Sequence, residues 1–264
     1  MRGPHPGHAG GDRRLILKKE EDSYRAFPSI IEALGLEGRR DVRLCAAGAG
    51  GKTTLLKRLA AEYKERGIPV AVTTTTRMYA EEDPRFLLEP SPVKMEEILE
   101  REGVVFLGRK DRGGKMKAPE KEWMQDILAL PFPVLVEADG SRRLPLKVPG
   151  EREPVFPEET THVVYVYGMS ALGRSLSEVC FRPERAAAIL GRSVEGPVRE
   201  EDIALLAGHS LGGRKGVRKA WNFTVALSQA DLPGGLEAAW RIGRMTEAEV
   251  LIVGQMKVNG DRRE

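Results

Sequence analysis

What the sequence lacks narrows its class first. Cysteine occurs twice in 264 residues, at Cys45 and Cys180. Two are too few for a disulfide framework, which points to a reducing cytoplasm. Their spacing relative to His162 and His209 matches no zinc site. No apolar run is long enough to span a membrane, and the N-terminus shows no signal-peptide core, so no membrane partner is expected. Asparagine occurs twice and glutamine three times amid abundant Glu, Lys and Arg, a bias shared by proteins of hot environments and by GC-rich genomes. There is almost no net charge: 42 basic against 39 acidic side chains leave +3, which gives no reason to expect nucleic acid.

What is present reads as one large α/β domain. Residues 1–22, "MRGPHPGHAGGDRRLILKKEED", mix Gly, Pro, His and charge without periodicity and predict a disordered N-terminal tail. His5 and His8 there have no carboxylate or thiol partner for a metal. Residues 23–264 form the predicted nucleotide-binding domain. "SIIEALGL" reads as a helix closed near Gly38, and "DVRLCAA" as a short apolar strand. A helix follows from Lys52 to about Arg66, capped by Gly67. "PVAVTTTT" and "GVVFLG" are strands, and "APEKEWMQDILAL" is a helix with Pro119 in its first turn. "PFPVLVEADG" and "THVVYVYG" have the unbroken apolar look of buried parallel strands. The helices "RPERAAAIL" and "REEDIALLAG" come next, then the strand "NFTVALSQAD", the helix "GLEAAWRIGRM" and a closing strand, "EVLIVGQ". This alternation predicts a P-loop NTPase-like, doubly wound, mostly parallel sheet with right-handed crossovers and helices on both faces.

Ala46-Ala47-Gly48-Ala49-Gly50-Gly51-Lys52-Thr53 has the spacing of a phosphate-binding loop between a strand and a helix. Gly48, Ala49, Gly50 and Gly51 would turn backbone N–H groups toward phosphate oxygens. Lys52 would reach the β- and γ-phosphates, Thr53 would join a Mg²⁺ shell, and Thr54 would lie near the α-phosphate. Ala47 replaces the lysine that marks loops completed across a dimer.

"PVLVEADG" ends an apolar strand in acid, and Glu137 with Asp139 share one side of an extended chain. One acid would hold Mg²⁺ through water while the other polarises the attacking group, and either fits either role. At the tip of "TTTTRMY", Thr76 and Arg77 are candidate phosphate or substrate contacts, whereas the first two threonines read as β-propensity alone. In "SQAD", Asp231 stands where guanine-reading sequences carry their aspartate, but Ser228 replaces the asparagine. The nucleotide is accordingly ATP or GTP. Arg142 and Arg143, just after the acidic strand, read either as solvated loop arginines or as cations that neutralise transferred charge. "RKDRGGKMK" reads as an exposed, mobile basic loop or as a clamp on an anionic substrate or partner, and Gly168, Ser170 and Gly173 as either a tight turn or a second anion site. Of the two thiols Cys180 is the more plausible reactive one, against the plainer reading of a buried cysteine.

"GAGGKTTLLKRLA", "VAVTTTTRMY", "VLVEADGSRRLPLKVPGEREPVFP", "GMSALGRSL", "FRPERAAAILG" and "SQAD" together resemble the selenium-dependent hydroxylase accessory protein family, the YqeC type, from Ile30 to about Leu232. The resemblance implies a nucleotide-dependent maturation factor for molybdenum hydroxylases that carry labile selenium. Its partners would be such a hydroxylase or its cofactor and other maturation proteins. It marks Gly48 to Thr54 for phosphate and Mg²⁺, Glu137 and Asp139 for metal and chemistry, and Lys147 and Arg182 as ligand-facing cations. The expected activity is slow NTP hydrolysis or phosphoryl transfer carried by Lys52, Thr53, Glu137 and Asp139. A small-molecule kinase or amide ligase, or a non-catalytic nucleotide-binding adaptor, are the alternatives.

Overall fold

The computed structural model describes residues 15–21 and 23–254. Ten strands make one sheet: β1 (Ile16–Glu20), β2 (Ser23–Ala26), β3 (Arg43–Gly48), β4 (Val70–Thr74), β5 (Phe86–Leu87), β6 (Val104–Leu107), β7 (Val134–Glu137), β8 (His162–Gly168), β9 (Asn222–Ser228) and β10 (Glu249–Val253). Their spatial order is β2-β1-β10-β9-β8-β3-β7-β4-β6-β5. Every pairing from β10 to β5 is parallel. Only β1 on β10 and β2 on β1 are antiparallel.

The sheet is covered on both faces, which is why its central strands carry no polar alternation. Successive residues of β3 feed opposite cores. Leu44 and Ala46 join the apolar face of α2 (Lys52–Glu65), through Leu55, Leu59 and Tyr63. Cys45 and Ala47 face the other core, with residues of α3 (Pro92–Glu102), α4 (Lys121–Leu128), α7 (Glu200–Gly208) and α8 (Gly235–Met245). The remaining helices are α1 (Ile30–Ala33), α5 (Leu176–Val179) and α6 (Pro183–Leu190). Glu62 ties two of them together. It pairs with Arg58 at 2.9 Å on α2 and accepts the Ile31 N–H of α1 at 3.0 Å.

Several expectations need correction. The described part of the supposed tail is ordered: β1 extends the sheet beyond β10, and Ile16 is buried in the core. Residues 1–14 and 22 of that tail lie outside the described residues. The strand expected to close the sheet, β10, is therefore an interior one. The first helix is a single turn that stops before Gly35 rather than running to Gly38. Pro119 precedes the Glu120 N-cap of α4 instead of sitting in its first turn. "RKDRGGKMK" is no mobile loop but a hairpin, Arg109–Lys110 with Lys115–Lys117, which pairs with Arg77–Tyr79. Helix α3 went unread, although Ser91 caps it, Pro92 opens it and Gly103 ends it at φ 70°. So did buried Arg43, whose guanidinium donates to the carbonyls of Leu128, Leu130 and Phe132 around the end of α4.

Candidate functional site

The carboxyl ends of β3, β4, β7, β8 and β9 meet the first turn of α2 at a cleft of about 610 Å³, within the range of small-molecule sites. Strand order makes the cleft, because β3 lies between β7 and β8, which sets Ala46 beside Glu137 and Gly48 beside Val166.

The turn from β3 into α2 holds three glycines at positive φ, two of which are also tightly enclosed. Gly48 and Gly50 have φ of 91° and 85°, a region that favours a residue without Cβ. A Cβ on Gly48 would lie 2.4 Å from the Val166 carbonyl oxygen, and one on Gly50 2.4 Å from the Gly168 nitrogen. Two loop donors are already satisfied internally: Ala49 N–H donates to Val166 O at 2.8 Å and Gly50 N–H to Leu144 O at 3.1 Å. Helix α2 then starts with Gly51 as N-cap and no side-chain cap, so its first-turn N–H groups and dipole face the cleft.

The side chains arrange themselves around that helix start. Thr53 Oγ1 donates to Glu137 Oε2 at 2.6 Å. Burial raises the Glu137 pKa, opposed by Lys52 and by the Thr53 hydrogen bond. Lys52 Nζ donates to Gly48 O at 2.7 Å and lies 3.3 Å from Asp139 Oδ1. Asp139 has no exposed surface. Its Oδ2 accepts the Gly48 N–H at 3.2 Å and pairs with Lys147 at 2.8 Å. Lys147, equally enclosed, also reaches Glu153 Oε2 at 2.7 Å and Gly140 O at 2.5 Å. Glu153 in turn meets Arg182 at 2.8 Å. Burial alone would raise the Glu153 pKa, but Arg182 and Lys147 outweigh it and hold the carboxyl at about 2. The result is a chain of alternating charge, Lys52–Asp139–Lys147–Glu153–Arg182, running from the loop through buried Asp139 and Lys147 to the partly exposed Glu153 and Arg182.

Of the residues singled out in the sequence, Gly50, Gly51, Lys52, Thr53, Thr54 and Glu137 border the cleft, as do Thr76, Arg77, Arg142 and Arg143. Gly48 and Ala49 form the loop behind them. Others are placed differently. Asp139 lies beneath the loop, between two lysines, and not on the cleft wall beside Thr53. Lys147 is wholly internal, so it faces carboxylates and not a ligand. Arg182 lies on Glu153 and 4.1 Å from the centre of the Phe181 ring, outside the lining. Asp231 is exposed and also outside the lining. Its neighbour Gln229 borders the cleft, with Oε1 accepting the Ser170 N–H at 3.3 Å. Ser228 braces the loop by donating to Gly50 O and lies 3.2 Å from Tyr167 O. Thr73 and Thr74 bond to the Leu107 and Glu137 carbonyls and are structural. Both cysteines are buried and their thiols are pushed up to about 12 by burial, which removes Cys180 as a reactive thiol.

Tyr79, Glu153 and Phe181 also border the cleft and were not foreseen; Lys115, which joins them, belongs to the basic run read as a mobile loop or an anion clamp. Lys115 had a readable signal, the Gly113-Gly114 turn between alternating residues. Glu153 had none, since only the tertiary fold brings it to Lys147. Among the described residues no cluster of three or more His, Cys, Asp or Glu is placed to hold a metal, and no helix is long and apolar enough to cross a membrane.

Two comparisons bear on this arrangement. A family profile described as "YqeC protein" matches residues 44–184, from within β3 to the start of α6. The chain is also similar to the "Uncharacterized protein YqeC" of Escherichia coli (strain K12), 30% identical over 227 residues that cover 84% of this chain and 82% of that one.

Proposed function

This chain belongs to the YqeC protein family, and we propose that it is a Mg²⁺-dependent purine-nucleotide-binding protein that hydrolyses or transfers the terminal phosphate slowly. One observation carries the reading: the Thr53 hydroxyl on the Glu137 carboxylate at 2.6 Å, at the uncapped start of α2. Threonine and carboxylate oxygens are the hard donors that Mg²⁺ takes, and this ion keeps several waters and substrate phosphates, so two protein oxygens suit it. Thr53 and Glu137 would hold the ion, which would supply charge neutralisation at the transferred phosphoryl group.

The protein's own groups do the rest. Lys52 directs its charge at the terminal phosphates, and the first-turn N–H groups of α2 orient the others. Asp139 holds Lys52 and the Gly48 N–H, which makes it a positioning residue and leaves the metal to Glu137 and Thr53. ATP and GTP both remain candidates, because Asp231 lies outside the cleft lining.

Calorimetric titration of Mg·ATP and Mg·GTP, with phosphate release followed alongside, tests this. Binding by the wild type that weakens at least roughly tenfold in Lys52→Ala is expected, since charge-assisted contacts are worth about 1.5–3 kcal/mol. Failure of both nucleotides to bind the wild type at millimolar concentration would sink the proposal. The cellular task we propose, maturation of a selenium-dependent molybdenum hydroxylase in the cytoplasm, is supported by the sequence resemblance alone. A hydroxylase made without this protein should then carry less selenium, measured by elemental analysis; equal selenium content would reject that task.

A further inference from the structure

The cleft holds more positive charge than a nucleotide at the loop calls for. Besides Lys52 its lining includes Arg77, Lys115, Arg142 and Arg143, against the carboxylates of Glu137 and Glu153. Arg77 is neutralised by Asp111 at 2.6 Å. The other three have no carboxylate within ion-pair distance among the described residues and lie on aromatic rings instead. Arg142 is 4.8 Å from the centre of Phe181, while Arg143 and Lys115 are 4.3 and 5.3 Å from the centre of Tyr79.

The backbone that carries the arginines is itself unusual. Arg142 and Arg143 are consecutive non-glycine residues at φ 52° and 62°, a conformation that side chains disfavour. It is held by the next two residues: Leu144 O accepts from Gly50 N–H, and Pro145 O from Gly168 N–H at 2.8 Å. Lys115 reaches the same place from a separate hairpin. Uncompensated cations that converge from two segments on one wall, next to a phosphate loop, match an oxyanion other than the nucleotide's own phosphates.

The rest of the lining restricts what that oxyanion belongs to. The lining contains no histidine or cysteine. Glu153 is engaged by Lys147 and Arg182, and Glu137 by Thr53. An acceptor that arrives already deprotonated needs no base from this wall.

We infer that Arg142, Arg143 and Lys115 form a binding site for a second small molecule bearing a carboxylate or phosphate group, occupied while the nucleotide sits in the loop; this rests on the nucleotide reading of that loop. The test titrates inorganic pyrophosphate and, separately, citrate into full-length protein saturated with the non-hydrolysable analogue of the preferred nucleotide. The two anions distinguish a phosphate from a carboxylate ligand. One site is expected for at least one anion. Its affinity should fall roughly tenfold or more in Arg142→Gln/Arg143→Gln and fall less in Lys115→Gln. Lys115→Gln sits on a different segment, so it reports even if the double variant melts early. No second binding event, or one indifferent to all three cations, overturns the inference. So does a double variant that loses the nucleotide together with the anion, since the arginines would then belong to the nucleotide. If the wild type binds no nucleotide, pyrophosphate is titrated into Lys52→Ala without it. Arginine-dependent binding there separates failure of the loop reading from failure of this one.

Discussion

At the scale of single residues, the candidate site depends on atoms that are missing as much as on charges that are present. Gly50 fits because nothing beyond its Cα competes with the backbone of Gly168. Gly50→Ala should therefore destabilise the fold by on the order of 2–4 kcal/mol, from left-handed strain plus backbone displacement, measured by urea unfolding; a cost below about 0.5 kcal/mol would mean that the loop shifts freely. Lys147 is the opposite case, a lysine without solvent that satisfies two carboxylates and the Gly140 carbonyl. Lys147→Met should cost about 1.5–3 kcal/mol, because Asp139 and Glu153 each lose one charge-assisted contact and keep only Lys52 and Arg182 respectively. Adding Glu153→Gln should recover part of that loss, a coupling that a double-mutant cycle reads directly. Strict additivity would show that the charge chain is not an energetic unit.

At the scale of elements, each strand next to β3 contributes one function. The acid comes from β7, and the backbone against which the loop packs comes from β8. The outermost element matters in another way. Strand β1 covers β10 through Ile16↔Val253, Leu17↔Ile252 and Lys18↔Leu251, so removing it leaves a long apolar strand as the sheet edge. A chain starting after residue 22 should melt several °C lower than one starting at residue 15 and should scatter light on standing. Equal melting temperatures would show β1 to be dispensable.

At the scale of the whole molecule, burial governs both acid response and thiol chemistry. His162 lies between Thr161 Oγ1 at 2.8 Å and the Asn222 side-chain amide at 3.1 Å. The amide donates to Nε2, an arrangement that fits a neutral ring. Burial, and then Arg39, lower its pKa to about 4. The unfolded chain takes this proton near pH 6.5, so stability is complete above that value and falls as pH drops toward 4. Glu153 is also depressed, so its contribution is present above about pH 4.5 and is lost as pH falls toward 2. The urea midpoint should thus decline in two stages, and His162→Asn should remove the upper one. An unchanged upper stage would assign it to other groups. Cys45 and Cys180 should both resist a thiol reagent in the folded protein and react together on unfolding. Rapid labelling of either one under native conditions would contradict their burial.

The sequence by itself determined the repeating layout and the loop. Apolar runs such as "VVYVYG" and the spacing of Gly48, Gly50, Lys52 and Thr53 are local features, and local geometry follows from neighbours in the chain. It also set Glu137 and Asp139 two residues apart, which period-two alternation would place on one side of an extended chain, although the strand stops at Glu137. Sequence could not divide their roles, because the difference lies in what surrounds them. Glu137 meets Thr53 on the cleft wall, whereas Asp139 is enclosed by Lys52 and by Lys147, a residue brought in by a later segment. The same limit explains why Lys147 and Arg182 looked ligand-facing and are instead partners of Glu153. It also explains why β1 looked like a tail, since its strand character comes from pairing with β10 more than two hundred residues away. Charge and hydrogen-bonding capacity are written residue by residue, but their use is decided by whichever distant group folding brings within about 3 Å.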